Sequence, residues 1–211
     1  MIGEKYLLLA EHYKKCYEKF GDNHKGADWP NKRDTLKRYK VMIEIISDTS
    51  KLNSILDIGC GTGNIYQFII DNKMEYIDYT GLDINQSMID KANSKFQNVK
   101  FFKRDILDKG IQDSYDYIIM NGLFTEKLNL TFDEMWDFFC KILSVAIKNC
   151  RVGIAFNLMS TNVDWQRDDL FHVPLDQLTN FIVNNLSRNY VIRNDYGLYE
   201  YTTYIYLKGK Y

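Results

Sequence analysis

Apolar positions at the start of the chain recur at helical spacing. Ile2, Tyr6, Leu9, Tyr13, Tyr17 and Phe20 share one face over residues 2–20, and the run stops at Gly21-Asp22-Asn23, so a helix followed by a loop is expected. The loop FGDNHKGADWPN ends in Pro30-Asn31, where Asn31 can cap a second helix that carries Asp34 in its first turn and runs to about Ser47. From Asn53 the pattern changes. Short β-type runs (SILDI, YTGLDI, NVKFF, YDYIIM, RVGIAFNL) alternate with helical stretches that begin at Gly63, Asn85 and Thr131. Strands joined by crossover helices make a parallel sheet covered on both faces. A further helix is expected from near Pro174 to Asn185, then NYVIRND and EYTTYIYLK, whose short connection YGLY requires antiparallel pairing. The expected class is therefore α/β and doubly wound, a mixed sheet of about seven strands with the last one antiparallel and extra helices before it.

Length and charge narrow this picture. A chain of 211 residues holds one full-sized domain, read as a helical cap over 1–50 and a core sheet over 51–211. With 27 basic and 28 acidic residues the net charge is -1, so no bulk field draws nucleic acid or an anionic membrane toward it. The opening MIGEKYLLLAEHYKK has too short an apolar cluster for a signal peptide or an anchor. Cys16, Cys60, Cys140 and Cys150 show no C-x-x-C spacing and are expected to be free thiols in a reducing cytoplasm, with no metal. Aromatic residues make up 15% of the chain, which favours pockets lined with rings.

The chemistry is concentrated in LDIGCGTGN. Gly59, Gly61 and Gly63 fall in the first strand-to-helix turn, where backbone approaches ligand most closely in an open parallel sheet. Asp83 ends the next strand, where a carboxylate can accept both hydroxyls of a ribose. The dinucleotide pattern G-x-G-x-x-G places its third glycine where this chain has Asn64, and Asp57 beside the loop would repel a pyrophosphate. An acid there attracts a cation. An adenosine ligand with positive charge and no phosphate is S-adenosylmethionine, whose ammonium suits a carboxylate and whose sulfonium suits aromatic faces.

ILDIGCGTG, GLDIN and KRDIL together resemble the cofactor motifs of class I S-adenosylmethionine-dependent methyltransferases, whose core is a Rossmann-like sheet. The resemblance implies that Asp57 and the loop of Gly59, Cys60, Gly61, Gly63 and Asn64 hold the methionine portion, and that Asp83 takes the ribose. It further implies that Ile84 and Met88 flank the adenine and that Asp105 and Ile106 meet its amino edge. YDYIIMNGLF matches the strand whose end faces the methyl group, which places Asn121 and Gly122 at the transfer site. Arg104 departs from the family, whose members often have glycine before that acid.

FGDNHKGADW, AFNLMSTNVDWQRDDLFHVP and IRNDYGLYEYTTYIY are similar to segments of small bacterial members of the same class with unassigned or sugar-related roles. Such segments close the site and carry specificity. Asp164, Trp165, Arg167 and His172 are the candidates for holding the acceptor, and His172 is of the residue type suited to a general base, with Asp164 and Glu200 as alternatives. Trp29 either covers the site or staples helix to sheet. Tyr196 and Glu200, near the turn between the last two strands, either reach the pocket or hold the hairpin. Arg38 could pair with a carboxylate or phosphate, but an exposed helical arginine is the favoured reading. The expected activity is transfer of a methyl group to an oxygen, less readily a nitrogen, of a polar small molecule such as a sugar or sugar nucleotide of a surface polysaccharide. A binding module without turnover and a nucleic-acid methyltransferase are the rivals. The latter is disfavoured because Asn-Gly-Leu-Phe stands where amino-methylating enzymes carry an N/D-P-P-Y/F motif.

Overall fold

The computed structural model describes residues 3–209; Ile2, assigned above to the first helix, lies outside them. Helix α1 covers Leu7–Phe20 and α2 covers Lys32–Ile43, the latter capped by Asn31, whose side chain accepts from the Asp34 backbone N–H. The second helix therefore stops short of Ser47.

The strands are β1 (Asn53–Ile58), β2 (Ile77–Asp83), β3 (Lys100–Lys103), β4 (Tyr115–Met120), β5 (Cys150–Ser160), β6 (His172–Val173), β7 (Asn189–Arg193) and β8 (Glu200–Tyr206). They form one sheet in the order β3-β2-β1-β4-β5-β8-β7, with the two-residue β6 attached to the end of β5. β8 runs antiparallel to both β5 and β7, while the other pairings are parallel. The sheet thus has eight strands where about seven were expected. Two residues are too few to show a period, so β6 left no trace in the pattern.

The intervening helices are α3 (Asn64–Asp71), α4 (Gln86–Lys95), the single turn α5 (Ile106–Lys109), α6 (Phe132–Ala146) and α7 (Leu175–Asn185). Thr131 and Glu134 close a capping box at the start of α6. Alternate residues of each central strand serve opposite layers: Leu56 and Ile118 join a core with Phe138 and Phe139 of α6, while Ile55 and Ile119 join another with Val41 and Met42 of α2. Burial on both faces explains why these strands read as continuous apolar runs.

Two features of this topology position the site. Strand order reverses at β1, which has β2 on one side and β4 on the other, so a crevice opens beyond their carboxyl ends. Glu200 pairs with Met159 near the carboxyl end of β5, which brings the β7–β8 connection to that same edge. Among the described residues, no helix is long and apolar enough to cross a membrane.

Candidate active site

The turn after β1 is bare backbone held in an unusual shape. Gly59, Gly61 and Gly63 have φ of 80°, 55° and 78°, a region that side chains with a Cβ rarely occupy. At Gly63 the packing adds a second reason, since a Cβ would lie 2.9 Å from Cζ of Phe101. The Gly61 N–H donates to Oδ2 of Asp83 at 2.9 Å and the Asn85 N–H to Oδ1 at 2.8 Å, so the glycine turn and the end of β2 are locked together through one carboxylate. Burial pushes the Asp83 carboxyl up, against these backbone donors. Each oxygen keeps a lone pair for a further donor.

Asp57 is 1% exposed. Its Oδ2 accepts the Tyr79 hydroxyl at 2.6 Å, and its Oδ1 is buried with no partner. Burial drives its pKa to about 7, opposed by Tyr79 and reinforced by the charge of Asp83. A buried carboxylate oxygen with nothing to accept from is a site prepared for a cationic or hydrogen-bonding group. Cys60, Asn64, Ile84, Met88, Ile106, Asn121 and Gly122 line the same cavity, and Arg104 flanks it. Asp105 caps α5 through Oδ1 and accepts the Tyr6 hydroxyl on Oδ2 at 2.5 Å. The Oδ1 of Asn121 is likewise buried and unpartnered. A side-chain-free turn, two orphaned oxygens and an acid at the neighbouring strand end fit an adenosine ligand with a charged amino-acid tail.

The N-terminal segments form the cover. The Thr62 hydroxyl donates to Asp22 at 2.6 Å, Lys95 pairs with Asp22 at 2.9 Å, the Asn85 amide donates to Ala10 O at 3.0 Å, and the Tyr13 hydroxyl donates to Gly122 O at 3.1 Å. Helix α1 and the loop after it are thereby strapped to the turns that follow β1, β2 and β4.

Beyond β4 lies a closed ring of contacts. The Gly122 N–H donates to Oδ1 of Asn157 at 2.7 Å, the Asn157 amide donates to Oε1 of Glu200 at 3.1 Å, and Arg38 Nε donates to Oε2 of Glu200 at 2.8 Å. The Arg38 guanidinium stacks 4.1 Å from the Trp29 ring centroid, and Trp29 returns to rest on Gly122. Arg38 is 9% exposed, so the favoured reading of an exposed arginine is corrected in favour of the alternative, a pair with a carboxylate, whose partner, 162 positions away, left no local signal. Asn157, also missed, was visible as a lone amide inside the apolar run IAFNLM. Gly122 has φ of 78° and a Cβ there would lie 2.6 Å from Cζ2 of Trp29. Gly122→Ala is expected to lower stability by about 1–3 kcal/mol and to displace the indole, read by thermal denaturation and tryptophan fluorescence.

Trp29 also walls a second cavity of ≈ 690 Å³ on its far side. Asp164, Trp165, Arg167 and His172 line it, together with Thr125, Glu126 and Tyr199. Trp165 is 70% exposed at the rim, Asp164 accepts the Tyr199 hydroxyl at 3.1 Å, and Arg167 pairs with Asp169 through two nitrogens. His172 Nδ1 lies 2.6 Å from Ser160 O and its Nε2 accepts the Arg167 N–H at 3.3 Å. Since a carbonyl can only accept, Nδ1 carries the proton and both ring nitrogens have backbone partners. Glu200 and Tyr196 line neither cavity. The Glu200 carboxylate is engaged by Arg38 and Asn157, and the Tyr196 hydroxyl pairs with Thr202 at 3.0 Å, which braces the hairpin.

Comparison with known proteins agrees with this geometry. A family model described as "Methyltransferase domain" matches residues 49–173, more than half of the chain. A putative methyltransferase, Rv1506c, of Mycobacterium tuberculosis is 29% identical over 154 residues, 71% of this chain and 90% of that protein. A malonyl-[acyl-carrier protein] O-methyltransferase of Acetivibrio thermocellus is 34% identical over 95 residues, 42% of this chain and 33% of that one. Among solved structures, magnesium protoporphyrin IX methyltransferase from Synechocystis PCC 6803 with bound adenosylhomocysteine superposes with a TM-score of 0.60 at 12% identity, covering 98% of each chain. A glycine turn flanked by two buried acids, set at the reversal point of such a sheet and matched by that family model, has one reading: the chain belongs to the methyltransferase-domain family and is a class I S-adenosylmethionine-dependent methyltransferase.

Proposed function

We propose that the acceptor is a polar small molecule methylated on oxygen, with a sugar or sugar nucleotide as its class. The observation that carries this reading is the meeting of two cavities at Trp29, one lined by the donor-binding turns and one by aromatic rings and paired charges. Trp165 and Tyr199, 70% and 60% exposed at the rim, offer flat faces to a ring, while Arg167, Asp164 and Asp28 offer partners for hydroxyls. The acceptors named for the similar proteins, a malonylated carrier protein and a porphyrin, differ so much that the family does not fix this choice. The near-neutral balance of charge speaks against a nucleic-acid acceptor.

The bound donor supplies an electrophilic methyl carbon on a positively charged sulfur. The protein's part is alignment in a dry enclosure. Asp83 holds the ribose, Asp57 meets the ammonium through its free Oδ1, and the Gly122–Asn157–Glu200–Arg38 ring keeps the end of β4 and Trp29 fixed between donor and acceptor. Transfer of labelled methyl to a panel of free monosaccharides, sugar nucleotides, amines and short RNAs tests the reading. Label on a sugar hydroxyl supports it, and label confined to amine or RNA overturns it.

Asp57 adds a pH test of donor binding. Its carboxyl, at about 7 in the free protein, must ionise to hold an ammonium. Binding of adenosylhomocysteine at pH 6 is therefore expected to release most of a proton and to tighten as pH rises through about 7. Calorimetry in buffers of different ionisation enthalpy measures this, and Asp57→Asn should abolish it.

A further inference from the structure

The segment that follows β4 joins the two cavities. Asn121 and Gly122 line the donor side, and Thr125 and Glu126 line the acceptor side. Its backbone is fixed by neighbours. The Thr125 hydroxyl donates to Gly122 O at 3.1 Å, the Phe171 N–H donates to Thr125 O at 2.8 Å, Glu126 forms a β-bridge with Leu170, and the Lys127 N–H donates to Asp169 O at 2.8 Å. Glu126 is thus presented to the acceptor cavity from a braced strand-like position.

The other acids and the histidine facing that cavity each already have a partner within the protein. Asp164 accepts from Tyr199, Asp28 pairs with His12 at 2.7 Å, Asp34 accepts from Asn31 and pairs with Lys37, and both ring nitrogens of His172 have backbone partners. Among the described residues, the Glu126 carboxylate makes no hydrogen bond. We propose that Glu126 is the general base for methyl transfer to a hydroxyl acceptor held in this cavity, an inference that rests on the O-methylation reading above.

Burial raises the Glu126 carboxyl to about 7, with Asp28 as the next cause; Arg167 opposes the shift, Asp169 adds to it and His12 opposes it. A base in this range ionises near neutral pH and still takes a proton readily. In the step itself, the acceptor oxygen bonds to the methyl carbon as the carbon–sulfur bond breaks. Its electron pair stays on sulfur to give the neutral thioether, and the hydroxyl proton passes to a carboxylate oxygen of Glu126. No oxidant or further reactant is needed.

The test uses the full chain with labelled donor and the hydroxyl compound of the panel above that wild type turns over best. Glu126→Gln is expected to lower kcat by about 10²–10⁴-fold, with adenosylhomocysteine affinity unchanged, and to remove a wild-type limb in which kcat rises with pH through about 7. Glu126→Asp should recover part of the rate. A readout independent of turnover follows from linkage: an acid raised on folding weakens the native state as pH climbs from the ordinary glutamate range through about 7. Glu126→Gln should therefore raise Tm at pH 8 and leave it nearly unchanged at pH 4. An unaltered kcat and pH limb in Glu126→Gln would overturn the proposal, as would transfer to amines alone or to no hydroxyl by a wild type that binds adenosylhomocysteine. Failure of wild type to bind adenosylhomocysteine would instead remove the donor site beneath it.

Discussion

Arg38→Met is expected to destabilise the fold by about 3–5 kcal/mol, the largest single-residue effect outside the apolar core. The cause is the carboxylate left behind. Glu200 is 1% exposed, and burial already pushes its carboxyl up while Arg38 and the Asn157 amide pull it down. Without the guanidinium, Glu200 must either stay charged in a dry environment or take up a proton. An acid whose folded pKa lies above its unfolded value weakens the native state as pH rises through the folded value. The loss should therefore be larger at pH 8 than at pH 5 in urea or thermal unfolding. Arg38→Met combined with Glu200→Gln should recover most of it, because the neutral amide no longer needs a cation. By contrast, loss of the Arg193–Asp195 pair, whose side chains are 28% and 64% exposed, should cost no more than about 1 kcal/mol. If Arg38→Met proves as mild as that, the ring around Gly122 does not hold the end of β4.

Asp83→Ala should weaken adenosylhomocysteine binding on the order of a hundredfold, as measured by calorimetry. Two hydroxyls donating to one carboxylate lose about 3 kcal/mol when it is removed, taking the low end of the range for charged acceptors. The same carboxylate accepts the Gly61 and Asn85 backbone N–H groups, so the glycine turn loses its tether to β2 as well. A modest drop in Tm should accompany the loss of affinity. Unchanged affinity would mean that the ligand lies elsewhere than across the ends of β1 and β2.

The cavity at the reversal point was legible because each of its parts is local. Asp57, the glycine turn, Asp83 and Asp105 each close or follow a strand that the apolar runs mark out, and the wound topology brings adjacent strand ends into one crevice. The acceptor side was legible only as a density of Trp, Asp and Arg in STNVDWQRDDLFH. That segment does line the second cavity, but which of its groups remain available was not written in it. His172 shows the difficulty: the residue type suits a base, yet its partners are Ser160 O and the Arg167 N–H, both main-chain atoms that sequence cannot distinguish from any others. Glu126, in GLFTEKLNL, carried no signal at all, since its interest comes from Asp28 and from the 169–171 segment packed beside it.

The sequence by itself therefore determined the wound sheet, its antiparallel end and the glycine turn after β1, because hydrophobic period, glycine conformational freedom and strand-end acids act over a few consecutive residues. Only the tertiary structure decided that Arg38 is buried against Glu200, that Trp29 divides two cavities and that Glu126 faces the second. These depend on which distant segments share a dry volume, and the free energy of a charge is set by that shared environment and not by its neighbours along the chain.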